Sequence, residues 1–301
     1  MRLKHLLKLL DLSEEDIRHL LDWGDKLKDE RKRGVSHPIL QGKTLGMIFV
    51  KSSTRTRVSF EAGMYQLGGH AMFLSARDLQ LGRGEPIEDT ARVLSRYVDG
   101  LMIRTFAQQD VEDMAAYGSI PVINGLTDFA HPCQVLADLM TIRAYKGHLE
   151  GLKACYIGDG NNMANSIAVG CLKAGMRVAL ACPAGYGPHE DIIHFAAGQS
   201  FLLTERPEEA VEDADVVFTD VWASMGQEEE QEKRMAAFQG YQVNTELLKA
   251  AKADCLVQHC LPAHRGEEIT AEVFARHADE IYTEAENRLH VQKAILVTLL
   301  G

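Results

Sequence analysis

From residue 45 onward the chain alternates short apolar runs with longer amphipathic stretches, the pattern of a parallel sheet covered by helices. The runs predict strands at 45–50, 70–74, 100–104 and 121–125, with helices at 54–67, 88–97 and 109–117 between them. The scheme then repeats. Strands are expected at 153–157, 177–182, 201–204, 215–220, 255–260 and 280–283, and helices at 161–174, 189–197, 207–213, 230–238, 244–251 and 270–277. The opening "MRLKHLLKLLDLSEEDIRHLLDWG" carries charges every few residues and reads as an amphipathic helix pair, without the apolar core of a signal peptide or membrane span. The final "ENRLHVQKAILVTLL" is apolar at helical spacing and is expected to pack back on the first half.

The fold class is therefore α/β, with two doubly wound parallel-sheet domains. One comprises residues 1–132 with a C-terminal helix at about 286–301; the other comprises 133–285, whose first helix, 133–146, lies between the domains. The 301 residues, 46% hydrophobic and 25% charged, suffice for two ordinary cores. A net charge of −11 argues against nucleic acid or an acidic membrane surface as a partner, since both call for a basic face. A basic cluster in so acidic a chain stands out. The cysteines, Cys133, Cys155, Cys171, Cys182, Cys255 and Cys260, lack paired metal-ligand spacing and are expected to be free thiols in a reducing, cytoplasmic compartment. Cys155, Cys171 and Cys182 fall in patterns that suit core packing, whereas Cys260 lies in the polar "HCLPAHRGEE".

Ligands in open α/β sheets bind beyond the carboxyl ends of the strands, which selects the loops that matter. The first is "KSSTRTR", Lys51 to Arg57, where Ser53 and Thr54 stand at a helix start and Arg55 adds a planar fork. Free N–H groups at a helix N-terminus together with neighbouring cations suit an anion. The loop lacks the glycines and the "GK[ST]" of a nucleotide P-loop, so a small phosphorylated metabolite fits better. Arg104 leaves the third strand at the same edge. The next strand leads to His131 and Gln134, three apart at a helix start and able to meet a carbonyl. In the second half, "GDGNN" follows a strand but is not GxGxxG; Asn161 and Asn162 offer amides to a zwitterion or carboxylate. Asp220 ends a strand and suits an ammonium group. Cys260 ends another, just before Pro262.

Taken in order, "KSSTRTR", "GRGEPIEDTARVLSRYVDG", "MIRT", "HPCQVLADL", "GDGNNMANS", "TDVWASMG", "HCLPAHRGEE" and "EAENRLHVQKA" resemble the aspartate/ornithine carbamoyltransferase family from end to end. "DVWASMG" and "HCLP" resemble its ornithine branch. The resemblance implies that Ser53, Thr54, Arg55 and Thr56 hold the phosphate of carbamoyl phosphate, with Arg104 bridging phosphate and carbonyl oxygen. His131 and Gln134 would bind the carbamoyl end. Cys260 and Leu261 belong to the "HCLP" loop, and Arg288 is implied as the arginine after the last strand that contacts carbamoyl phosphate. Asn162, Ser224 and Met225 would face the amino-acid end of ornithine, and Asp220 its ammonium. Arg104, His131, Asp220 and Cys260 are the implied catalytic group. The resemblance further implies a cleft between the domains that closes on substrate, a homotrimer with trimers able to assemble further, and carbamoyl transfer from carbamoyl phosphate to L-ornithine in arginine biosynthesis. No cofactor and no metal are expected. Aspartate, putrescine or an N-acylated ornithine are the other acceptors to weigh, and the αβ alternation with "GDGNN" leaves an NAD-dependent oxidoreductase as the reading from another class.

Overall fold

Parallel strands must be joined by crossovers, and this chain supplies a helix or a long loop for each. The computed structural model describes residues 3–223 and 230–301. One unit takes Met1–Met140 with Glu286–Gly301, the other Thr141–Ala285.

In the first unit, β1 (Thr44–Phe49), β2 (His70–Ser75), β3 (Gly100–Arg104) and β4 (Val122–Leu126) form a parallel sheet in the order β2-β1-β3-β4. Helices α1 (Glu14–Lys32), α2 (Thr54–Gln66), α3 (Ile87–Leu94) and α4 (Gln108–Tyr117) accompany it. Central strands β1 and β3 are buried along almost their whole length, as strands covered on both faces must be, whereas edge strand β2 is largely exposed. Ile48, Leu101, Ile103 and Val122 pack with Val111 and Met114 of α4 in one of its cores. The chain runs from this unit into the other within α5 (Pro132–Lys146) and returns within α11 (Ala278–Leu300).

The second unit orders its strands β7-β6-β5-β8-β9, again all parallel. These are β5 (Lys153–Ile157), β6 (Arg177–Ala181), β7 (Phe201–Thr204), β8 (Val216–Thr219) and β9 (Leu256–His259). Its helices are α6 (Asn162–Lys173), α7 (Glu190–Ala196), α8 (Pro207–Val211), α9 (Gln231–Ala237) and α10 (Ala271–Arg276). Ile157, Val217 and Val257 build the core with Phe238, on which Trp222 stacks at 5.8 Å between ring centroids. No helix among the described residues is long and apolar enough to cross a membrane.

Three expectations fail. Residues 280–283 are not a strand but the start of α11. Ile281, Tyr282 and Thr283 favour strands locally, yet Ile281 is buried in the core, and Asp279 and Glu280 suit the positive end of a helix. The stretch 244–251 yields only a 3-10 turn, Leu247–Ala250. The N-terminal pair reduces to one helix, α1, closed by a Ser13/Asp16 capping box. Before it, Leu6 lies extended against β4, exchanging backbone hydrogen bonds with Val122 and Asn124.

The returning helix carries a buried charge. Lys293 Nζ lies 2.6 Å from His37 Nε2 and 3.1 Å from Gln66 Oε1. Burial, and then the charge of Arg31, pull its pKa down to about 8, against ~10.4 for a lysine in an unfolded chain. Between these values the unfolded chain binds more protons, so this group adds stability as pH rises from about 8 toward 10. The buried thiols of Cys133 and Cys182, pushed up to about 12, act in the opposite sense over the same range. Comparison with Lys293→Met isolates the lysine: in urea unfolding, the parent should gain stability relative to the variant from pH 8 to pH 10.

Candidate functional site

Each sheet reverses its winding once. In the first unit, β1 leads outward to β2 and the chain returns to β3 on the other side; in the second, β5 leads to β6 and β7 before β8. Such a switch point opens a crevice beyond the strand ends. The loops at the first are "KSSTRTR" after β1 and Arg104 at the end of β3; those at the second are "GDGNN" after β5 and Asp220 after β8.

At the first switch point Ser53 caps α2, its hydroxyl accepting the N–H of Thr56 at 3.2 Å. Arg288 donates from Nη1 to Gln134 Oε1 at 2.6 Å and from Nη2 to Thr56 Oγ1 at 3.1 Å. Gln134 in turn donates to Asp138 Oδ1 at 2.8 Å. Arg288, expected after a last strand, therefore lies within α11, and it ties the start of α2 to the start of α5. His131 is buried, and burial first, then the charges of Arg288, Arg104 and Arg55, hold its imidazole well below the usual histidine range. Three guanidinium charges thus act on a neutral ring. An anion there would be favoured by all three charges.

Two cations of "KSSTRTR" serve other ends. Lys51, read from the sequence as one of the anion's donors, is buried, with Nζ 2.5 Å from Asp128 Oδ1 and 4.3 Å from the Phe106 ring centroid. It thereby joins the loops that follow β1, β3 and β4. Arg57 pairs with Glu61 at 3.0 Å and lies over Phe73.

At the second switch point Asp220 is buried and collects donors. Its Oδ1 accepts from Cys260 Sγ at 3.1 Å and from the Val221 N–H at 2.8 Å, and its Oδ2 from Asn161 Nδ2 at 3.2 Å. Asn161 also caps α6, its Oδ1 accepting the N–H groups of Met163 and Ala164. Sequence reading placed weight on Asn162, which begins α6 and is nearly buried, and missed that Asn161 supports Asp220. The preference of asparagine for the N-cap was the available signal. Cys260 follows β9 rather than ending it, and Leu261 holds φ at 60°. Ser224 and Met225 lie outside the described residues. Cys133, Cys155, Cys171 and Cys182 are buried free thiols.

The glycine-rich turn is accounted for without a dinucleotide. A Cβ on Gly160 would lie 2.1 Å from the Gly187 carbonyl carbon, so this glycine is required by the protein's own backbone rather than by a pyrophosphate. Asp220, His259 and Cys260 bring a carboxylate, an imidazole and a thiol within 4.8 Å of one another, donor types that zinc accepts. Both ring nitrogens of His259 are engaged, however: Nδ1 accepts the Leu261 N–H, and Nε2 lies 3.0 Å from Glu268 Oε1.

Family models divide the chain as the sheets do. Residues 4–144 match the carbamoyl-P binding domain of aspartate/ornithine carbamoyltransferase, and residues 150–299 match the Asp/Orn binding domain. The chain belongs to the aspartate/ornithine carbamoyltransferase family. An ornithine carbamoyltransferase of Carboxydothermus hydrogenoformans is 56% identical over 99% of this chain and 98% of its own length. The solved ornithine carbamoyltransferase of Pyrococcus furiosus superposes with a TM-score of 0.94 at 53% identity, covering 99% of this chain and 97% of that one. An anabolic ornithine carbamoyltransferase of Campylobacter jejuni gives a TM-score of 0.93 at 42% identity, covering 99% of both chains.

Proposed function

We infer that the chain transfers the carbamoyl group of carbamoyl phosphate to the δ-amine of L-ornithine, giving L-citrulline and phosphate. The observation that carries this reading is the first switch point itself, where Arg288 bonds Gln134 and, in the helix that Ser53 caps, Thr56, and where buried His131 feels the charges of Arg288, Arg104 and Arg55. A phosphate is favoured by all three charges, and an uncharged imidazole can donate to a carbonyl oxygen without adding a further positive charge.

Ser53, Thr54, Arg55 and Thr56 hold the phosphate, Arg104 bridges it to the carbonyl oxygen, and Gln134 and Arg288 fix the carbamoyl end. Cys260 and Leu261 also serve the carbamoyl end, and Asn162, Ser224 and Met225 hold the amino-acid end of ornithine. Asp220 meets the δ-ammonium. A free alkyl ammonium has a pKa of roughly 10.4, so the amine must lose its proton before it attacks. Asp220 and Cys260 position the amine, and the proton passes ultimately to the departing phosphate. As attack proceeds, negative charge grows on the carbonyl oxygen, where Thr56, Arg104 and His131 meet it. Carbamoyl phosphate is already activated, so the transfer requires no cofactor.

The acceptor is tested by assaying ureido product with L-ornithine beside putrescine, N-acetylornithine and aspartate. Citrulline should dominate; a faster reaction with any other amine would overturn the choice. The same reading includes a homotrimer, open to further assembly and measurable by sedimentation, and a cytoplasmic role in arginine biosynthesis, measurable as rescue of an arginine auxotroph.

A further inference from the structure

The turn between β9 and α10 is fastened by two buried side chains that the proposed transfer does not use. His259 and Glu268 are both fully buried, with His259 Nε2 3.0 Å from Glu268 Oε1. On the far side of the ring, the Leu261 N–H donates to Nδ1 at 2.9 Å. A backbone amide can only donate, so Nδ1 carries no proton and the ring's single proton sits on Nε2, directed at the carboxylate. Glu268 Oε1 also accepts the backbone N–H of His264 at 2.6 Å, while Glu284 Oε2 accepts the N–H of His259 at 3.0 Å. One carboxylate thereby holds both ends of the segment 259–264.

Between those ends Leu261 keeps φ at 60°, a left-handed conformation that costs a residue with a Cβ on the order of 1 kcal/mol and persists only where its surroundings enforce it. The Nδ1 acceptor supplies that enforcement at Leu261 itself. The preceding residue is Cys260, whose Sγ rests on Asp220 Oδ1. With both ring nitrogens committed, the pair has no free nitrogen with which to relay a proton to substrate.

We propose that Glu268 and His259 are positioning residues for the acceptor amine: Glu268 fixes the ring and tautomer of His259, which sets the Cys260–Leu261 turn and so keeps the thiol on Asp220. The inference rests on the assignment of Asp220 and Cys260 to the amine. Glu268→Ala removes the acceptor, whereas Glu268→Gln keeps an acceptor oxygen of the same reach. The alanine variant should raise the KM for ornithine by about 10- to 100-fold, the scale of a small misplacement at a reacting centre. Its Kd for carbamoyl phosphate, from calorimetry, should rise by less than the KM for ornithine, since the turn is only one of the elements that meet that substrate, and glutamine should restore most of both losses. In the parent protein, 15N shifts of labelled histidine should show His259 as the Nε2–H tautomer.

An unchanged ornithine KM would overturn the proposal. So would equal losses for both substrates with a lowered thermal midpoint, the mark of a merely structural pair, or an Nδ1–H tautomer. Should Glu268→Ala not fold, Glu268→Asp, which shortens the reach, is read by the same criteria. Absence of citrulline formation by the parent protein would instead remove the functional reading, and the tautomer measurement would still decide the hydrogen-bond relay.

Discussion

Arg104→Ala should lower kcat by about 10²- to 10³-fold, equivalent to roughly 2.7–4 kcal/mol of transition-state stabilisation. Arg104 ends β3 beside the loop that follows β1, and its carbonyl accepts the N–H groups of Val50 and Lys51, so its backbone is fixed whatever its side chain. The guanidinium is one of the charges that hold His131 neutral. The loss of turnover should exceed any change in the thermal midpoint of the ligand-free variant. Carbamoyl phosphate should raise that midpoint by less than in the parent, because stabilisation by a ligand follows its affinity. Steady-state kinetics with both substrates saturating, together with thermal unfolding with and without carbamoyl phosphate, check both parts. A near-normal kcat would remove Arg104 from the transition state.

Asp220→Asn should act on the other substrate. The carboxylate accepts from the Cys260 thiol, the Asn161 amide and the Val221 N–H, and an amide in its place turns one acceptor into a donor facing donors. Hydrogen bonds to charged groups contribute about 1.5–3 kcal/mol, so kcat/KM for ornithine should fall by about 10- to 150-fold. Carbamoyl phosphate affinity should be preserved. Cys260→Ser, which keeps a donor to Asp220, should show a smaller loss of the same kind. An unaltered ornithine KM and rate in Asp220→Asn would separate this carboxylate from the amine.

The alternation of strand and helix was legible because parallel strands buried on both faces leave continuous apolar runs, as at β1, β3 and β8. Strand order was not. Nothing local states that β1 lies between β2 and β3, yet that order makes a switch point beside "KSSTRTR". Ser53 was readable as a cap from its neighbours alone, while the diversion of Lys51 to Asp128 depends on a partner far along the chain. Asn161 was visible as an amide but its hold on Asp220 was not, because a cap's carbonyl oxygen and its amide take separate partners. The misreading of 280–283 shows where strand propensity yields, at a stretch that opens a helix on the core.

The chain crosses between its two units twice, and this fixes an order of completion. Leu300 packs so closely on Gly100 that a Cβ there would lie 2.7 Å from it, so the C-terminal residues are part of the first unit's packing. During synthesis every residue of the second unit is added before Arg288, Lys293 and Leu300. Domains form as their residues become available. The second unit therefore holds all its residues before the first does; the first waits, its sheet made but its last helix missing, and the arginine that ties Thr56 to Gln134 arrives with that helix as the seal on a unit begun long before.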